Sequence, residues 1–130
     1  MNSPAPAEFG LSEIGQVALT VRNVAAATAY YRDVLGLKFL FQAPPGLAFF
    51  MAGSVRVMLA APEKADAPVA NSVLYFKVAD IAAAHAALKA RGANFVDEPH
   101  LIARMPDHEL WMVFLRDPDQ NLIGLMEERR

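Results

Sequence analysis

The chain has 130 residues, of which 55% are hydrophobic and 20% charged, so a single domain with its own hydrophobic core is expected. It contains no cysteine, which excludes a disulfide framework, a zinc–thiolate centre and a cysteine nucleophile. The net charge of −2 gives no electrostatic footprint for nucleic acid. We find neither a signal peptide nor the ~20 apolar residues of a membrane span, and therefore expect a cytoplasmic protein that binds no membrane.

The first half of the chain has the pattern of one strand, one helix and three strands. After a Pro/Ala-rich stretch at residues 1–9, which we expect to be a flexible tail, residues 14–22 alternate apolar and polar side chains, as a strand does. Asn23 is a suitable N-cap for a helix that starts at Val24, and Gly36 suits its C-terminal end. The three strands predicted next are residues 38–42, 47–51 and 55–60.

The same pattern recurs in the second half, after a connector at residues 61–71. Asp80 is predicted to cap a helix that ends at Gly92. Residues 101–107 are predicted to be a loop between the sixth and seventh strands, close to the open end of the sheet. The strands predicted in this half are residues 73–78, 95–97, 110–115 and 122–127.

The two halves align as an internal repeat. With Val21 placed on Val78, the cap Asn23 falls on the cap Asp80, and the alanine triplet after the first cap falls on the triplet after the second. Matched caps and helices after matched strands indicate a duplicated unit, in which each half needs the other to bury its sheet. The predicted modules are residues 10–60 and 72–130, within one structural domain.

Four segments, in this order and spacing, resemble the vicinal-oxygen-chelate superfamily, which includes glyoxalase I, bleomycin-resistance proteins and extradiol dioxygenases. They are IGQVALTVRN at 14–23, YYRDVLGLKF at 30–39, FKVADI at 76–81 and FLRDPDQNLIGLME at 114–127. The resemblance implies an α+β fold, with tandem βαβββ modules that form an eight-stranded cupped sheet and carry helices on its outer face.

The resemblance also implies where a metal would bind. In the metal-dependent members, the first and the last strand of each module contribute one ligand each, and these positions fall on Gln16, Met58, Val73 and Gly124. Only Gln16 has an oxygen donor that suits a hard divalent cation. We therefore predict no metal and no cofactor.

The strand pattern alone predicts a pocket for an organic molecule. The sheet faces opposite the helices carry mostly apolar side chains at their centre, with one amide and one phenol, which is typical of a small-molecule site. Methionine adapts to irregular ligands. The central residues are Gln16, Ala18, Met58, Val73, Tyr75, Gly124 and Met126.

Three further candidates lie near this surface in sequence. His100 and His108 flank the predicted loop, where either could exchange a proton with a ligand or could be an ordinary surface residue. Trp111 could supply a stacking wall or could pack in the core, since the pattern does not decide whether Trp111 or Met112 faces the cup.

Other polar residues favour structural roles. His85 lies on the apolar stripe of the second helix and is interpreted as a histidine at the edge of the core. Arg56 and Arg104 could meet an anionic group, although lone arginines are usually solvated. Residues 117–121 have the chemistry of a turn, with a proline and Asx side chains that bond their own backbone.

Three functions of different classes follow from these features. We predict a protein of the bleomycin-resistance type that binds a small aromatic or apolar molecule without a metal. The alternatives are a glyoxalase-like lyase, isomerase or dioxygenase, whose relocated metal would use Gln16 with His100, His108 or Glu109, and a structural dimer with a filled cup. We expect a homodimer, because members of the superfamily often complete their cups with a partner chain.

Overall fold

A computed structural model describes residues 9–64, 66–67 and 69–130. The predicted tail, except for residue 9, and two residues of the predicted connector lie outside the described residues. A π-helical stretch, Tyr30–Val34, continues the first helix. The elements are β1 (Gln16–Thr20), α1 (Val24–Ala29), β2 (Lys38–Ala43), β3 (Leu47–Ala52), β4 (Val55–Ala60), β5 (Leu74–Lys77), α2 (Ile81–Ala90), β6 (Asn94–Phe95), β7 (His100–Arg104), β8 (Glu109–Arg116) and β9 (Leu122–Arg129).

The strands form two sheets with matching order, which confirms the mixed α+β fold. The first sheet runs β1-β4-β3-β2, and the second runs β5-β9-β8, with β6 and β7 both paired to β8. The first strand of each half is parallel to the last strand of that half, and the remaining pairs are antiparallel.

The outer edge of the second sheet differs from the prediction. The predicted loop at 101–107 is wrong over its first four residues, which belong to β7. Between β6 and β7, the side chain of Asp97 accepts a hydrogen bond from the Phe114 backbone N–H at 2.8 Å, and Pro99 has no N–H to donate. The ladder along β8 is therefore interrupted, and the described residues contain nine strands instead of the eight expected.

Both helices begin and end as their sequences predict. The Asn23 side chain accepts from Ala26 N at 2.9 Å, and the Asp80 side chain accepts from Ala83 N at 3.0 Å. Gly36 and Gly92, which follow the helical segments, have φ angles of 77° and 94°, a left-handed conformation that favours glycine. No helix in the described part of the chain is long and apolar enough to span a membrane.

One hydrophobic core, built from the helices and the sheet faces packed against them, joins the two halves. Tyr31 and Phe50 from the first half and Leu115 and Ile123 from the second are at most 1% exposed. The remaining buried apolar members are Leu19, Val21, Ala27, Ala48, Val57, Leu59, Ile81, Leu88, Val113 and Leu125.

The turn between β8 and β9, residues 117–121, connects this core to the first half. Asp117 is only 2% exposed, and its carboxylate accepts a 2.8 Å hydrogen bond from the hydroxyl of Tyr31. It also accepts from the backbone N–H groups of Asp119 and Asn121 and from the Asn121 side chain, at 2.8–2.9 Å. This buried charge is thus surrounded by donors, as a buried carboxylate must be.

Two further contacts tie the same turn to the end of β1. The Arg22 backbone N–H donates to the Asp119 side chain at 2.8 Å. The Asn71 side chain accepts from the Thr20 backbone N–H and donates to the Thr20 backbone carbonyl. It also donates to the Asn121 side chain at 2.8 Å. The residues predicted to form a turn therefore also hold the two sheets together.

We expect Tyr31→Phe to destabilise the fold by about 1–3 kcal/mol, because it leaves a buried carboxylate oxygen without one of its donors. The measurement is the free energy of unfolding from urea titration. Tyr75→Phe is the matched control, since the Tyr75 side chain is exposed and its hydroxyl has no hydrogen bond within the described residues. Equal stability of Tyr31→Phe and the wild type would contradict the assigned role.

Candidate ligand-binding site

Each sheet has one face packed against the core and one face turned away from it, which we call the open face. Side chains alternate between the two faces along each strand, and the burial of β3 and β4 follows this alternation. Each open face carries two aromatic residues and two methionines. They are Phe41, Phe49, Met51 and Met58 on the first open face, and Tyr75, Met112, Phe114 and Met126 on the second.

Gln16, on the first open face, is hydrogen-bonded to an arginine. β1 and β4 pair in parallel with Gln16 beside Arg56, and the Arg56 Nε donates to the Gln16 side-chain oxygen at 2.8 Å. The Gln16 amide nitrogen points towards the Met58 sulfur, 4.0 Å away. The one oxygen that the family resemblance assigns to a metal therefore already accepts from a cation.

Arg56 is also placed by an aromatic pair. Its guanidinium carbon lies 5.5 Å from the centroid of the Phe49 ring, within the range of a cation–π contact. Phe49 in turn stacks on Phe41, with centroids 4.8 Å apart and planes inclined by 29°. Phe41 is 47% exposed, so one end of this stack is open to solvent.

The second open face is closed over its glycine. A Cβ atom built on Gly124 would lie 2.7 Å from a carbon of the Tyr75 ring, closer than real Cβ contacts. Tyr75 packs edge-to-face on Phe114, with centroids 5.9 Å apart, and remains 49% exposed on its other side. The glycine is needed here because it lets the Tyr75 ring lie directly on β9.

The four family ligand positions do not match the donors that a divalent cation requires. Val73 and Gly124 have no side-chain donor, Met58 offers a thioether, and the oxygen of Gln16 is engaged by Arg56. In residues 9–64, 66–67 and 69–130, no group of three or more His, Asp or Glu side chains is arranged to hold a metal ion.

The structure brings the predicted central residues together only within each sheet. Gln16 and Met58 lie side by side on the first open face, while Tyr75, Gly124 and Met126 lie on the second. Val73 directly precedes β5 and is partly buried. A cleft of about 660 Å³ between the halves is lined by Tyr75 but by none of the other predicted site residues.

Trp111 lies on the helix-packed face, opposite Glu127 in the pairing of β8 with β9. Its indole N–H donates to the Glu109 carboxylate at 3.1 Å, and the Arg129 guanidinium lies 4.5 Å from its ring centroid. Met112, its neighbour, faces the open side opposite Met126. The structure thus places the methionine where a ligand wall was considered, and the tryptophan among core and charged residues.

The histidines occupy separate places. His100 begins β7 opposite Met112, and its Nδ1 lies 2.7 Å from the Glu98 carbonyl oxygen. His108 lies in the β7–β8 turn, 2.7 Å from the Asp107 carboxylate. His85 packs edge-to-face on Phe95, with centroids 4.4 Å apart, as expected for a histidine at the edge of the core.

The Phe41–Phe49 stack and the hydrogen bond from Arg56 to Gln16 were not predicted from the sequence. The alternation in β3, where Ala48 and Phe50 are buried, would have assigned Phe49 to the open face. The face on which Phe41 lies was harder to predict from the sequence, because a bulge between residues 39 and 41 shifts the register of β2. The pairing of Arg56 with Gln16 follows only once β4 is placed beside β1.

Comparison with known proteins matches most of this chain to one family. A family model described as the Glyoxalase/Bleomycin resistance protein/Dioxygenase superfamily matches residues 13–125. An uncharacterized protein of Bacillus subtilis, YqjC, is 36% identical over 64 residues, 45% of this chain. That match spans only 46% of the relative's own length.

Solved structures agree over most of the chain. Lactoylglutathione lyase from Agrobacterium tumefaciens is 27% identical, with a TM-score of 0.71 over 91% of this chain and 95% of the other. An integron cassette protein from the mobile metagenome of V. cholerae is 21% identical, with a TM-score of 0.74 over 92% and 97%. A glyoxalase/bleomycin resistance protein/dioxygenase from Nocardioides is 20% identical, with a TM-score of 0.73 over 95% and 88%.

The charged residues around Trp111, which are Glu109, Glu127 and Arg129, make the stability of the fold depend on pH. Glu127, 7% exposed, pairs with Arg129 at 3.0 Å and accepts from the Ile81 backbone N–H at 2.8 Å. The hydrogen bonds from Arg129 and then from Ile81 lower the pKa of Glu127 below its ordinary value of 4.5. Its stabilising contribution is therefore present above that value and is lost as the pH falls through the lower pKa of the folded chain.

We expect Glu127→Gln to be less stable than the wild type at neutral pH, and the difference to shrink as the pH falls below about 4.5. Urea midpoints measured across this pH range test it. Glu128→Gln, the neighbouring and more exposed carboxylate, is the control. A difference between Glu127→Gln and the wild type that is independent of pH would contradict the prediction.

Proposed function

Because the chain belongs to the Glyoxalase/Bleomycin resistance protein/Dioxygenase superfamily, we propose that it forms a homodimer whose open faces enclose a small organic molecule, bound without a metal. The observation that carries the proposal is the composition of the two open faces. Each presents two aromatic residues and two methionines, and the four family ligand positions offer one oxygen, already bonded to Arg56.

The exposure of the open faces supports a dimer. Phe41 and Tyr75 are 47% and 49% exposed in the single chain, although core aromatics such as Phe50 are fully buried. Exposed apolar patches on proteins of this size commonly mark interaction or ligand sites. A second copy of the chain could cover both faces at once, with a ligand held between them.

The residues of the open faces suit an aromatic or largely apolar ligand. Aromatic rings offer stacking surfaces, and methionine side chains adjust to the outline of a bound molecule. Arg56, Gln16 and the Tyr75 hydroxyl supply the few polar groups that fix the orientation of a ligand in an apolar pocket.

We expect the wild-type chain to have twice its monomer mass in light scattering at micromolar concentration. Phe41→Glu should raise the dimer dissociation constant by about a hundredfold or more, because it buries a carboxylate in an apolar interface. Ala86→Glu adds the same charge on the exposed side of α2 and should remain dimeric. A wild-type monomer at these concentrations would overturn the dimer.

Since the proposed site holds no metal, we expect EDTA-treated protein to bind a neutral aromatic probe, 2-naphthamide, in isothermal titration calorimetry. Addition of Mn²⁺, Ni²⁺, Zn²⁺ or Fe²⁺ should change neither the affinity nor the melting temperature, since no group of three or more His, Asp or Glu side chains among the described residues is arranged to hold a metal ion.

Three results would favour the alternatives. Loss of binding after EDTA, or a stoichiometric metal in protein purified without chelators, would support an enzyme of the lyase, isomerase or dioxygenase kind. The structural relative from Agrobacterium tumefaciens is named as such a lyase. A dimer that binds no aromatic probe would support a structural dimer with a filled cup.

A further inference from the structure

The residues that precede β1, 9–15, expose their apolar side chains to solvent. Leu11 is 96% exposed and Ile14 67%, while the large apolar residues exposed elsewhere in the described chain reach at most 50%. A Cβ atom built on Gly10 or Gly15 would meet no atom within 4 Å. The segment therefore extends away from the chain to which it belongs.

The side chains of this segment are typical of a chain that docks on another surface. Phe9 and Leu11 are two residues apart, so in an extended conformation they point to the same side. Large apolar side chains gain free energy when they leave water. The only charged residue of the segment is Glu13. A complementary surface is therefore apolar and carries cations.

The chain offers such a surface between its two halves. A cavity of about 290 Å³ is lined by Leu35 at the end of the first helical segment, by Ala87 on α2 and by further apolar residues of α2, β5 and β9. It adjoins the cleft of about 660 Å³, with which it shares Leu37, Phe76 and Lys77. We call the cavity and the cleft together the inter-half groove.

The groove matches the segment in charge as well as in polarity. Its lining residues in the described chain include two lysines, Lys38 and Lys77, and no carboxylate. Lys77 lies 3.5 Å from Glu128, whereas Lys38 has no ion pair within the described residues. Lys38 is therefore available to the carboxylate of Glu13.

The segment ends beside its own groove without entering it. It continues directly into β1, and Val17, the second residue of that strand, lines the cleft. Leu11 nevertheless lies almost fully in solvent, so the segment points away from this groove. In a symmetric dimer whose twofold axis passes close to the start of β1, each segment reaches the groove of the other copy.

We propose that the inter-half groove is a docking surface for residues 9–14 of a second copy of this chain. Leu11 enters the smaller cavity, and Glu13 lies near Lys38. This exchange rests on the homodimer proposed above, to which it adds a contact that is separate from the open faces. Each of the two identical chains then supplies one segment and receives one.

The first test measures the dimer dissociation constant by analytical ultracentrifugation. Leu11→Asp should raise it about tenfold or more, because a carboxylate replaces an apolar side chain in the cavity. Ser12→Asp is the control and should stay close to the wild type, since neighbouring side chains point to opposite sides of an extended segment.

The groove has its own matched pair of variants. Ala87 and Ala86 are both exposed on α2, but only Ala87 lines the cavity. Ala87→Glu should raise the dissociation constant about tenfold, and Ala86→Glu should leave it unchanged. When Leu11→Asp is already present, Ala87→Glu should add little, because both variants remove the same contact.

These measurements separate the exchange from the dimer itself. Fully additive effects of Leu11→Asp and Ala87→Glu, or an unchanged constant in either single variant, would overturn the exchange and leave the dimer in place. A monomeric wild type would instead overturn the proposed function.

Because the chain has no cysteine, a disulfide can identify which copy supplies the segment. In a chain that carries both Leu11→Cys and Ala87→Cys, mild oxidation should join two chains covalently, as seen by denaturing mass spectrometry. A chain with Leu11→Cys and Ala86→Cys is the control and should remain mostly single. A disulfide within one chain would place the segment in its own groove and overturn the exchange, and so would equal cross-linking of the two chains or none in either.

Discussion

The buried hydrogen bond from Tyr31 to Asp117 is the contact on which the arrangement of the two halves depends. It joins the end of the first helical segment to the β8–β9 turn, inside a core to which both halves contribute. Because the two halves are held together through their helix-packed sides, the opposite faces of both sheets stay free of that core. The aromatic residues and methionines on these faces are thereby available to a partner chain and a ligand.

The two open faces have similar apolar composition and different polar features. On the second, Tyr75 lies over Gly124 and fills the space at its centre. On the first, the Arg56 side chain donates to Gln16, and its guanidinium carbon lies 5.5 Å from the centroid of the Phe49 ring. A position where the family resemblance implies a metal ligand is therefore hydrogen-bonded to an arginine side chain here.

Most of the fold could be predicted from the sequence because its signals are local. Alternating side chains and the caps Asn23 and Asp80 predict the strands and helices to within a few residues. β7 was not predicted because residues 101–103 are consecutive apolar residues, which give its sequence no alternation, so that only its pairing with β8 identifies it as a strand. The faces of Trp111 and Phe41 also depend on register between strands, which no single segment encodes.

We propose that two copies of this chain together hold an organic molecule and no metal. Native mass spectrometry of the protein purified without chelators tests it most directly. We expect two chains together with an organic molecule that is released on activation, or the same dimer loaded with added 2-naphthamide, and no mass of a transition metal. A monomer, or a dimer that carries one metal ion per site, would contradict it.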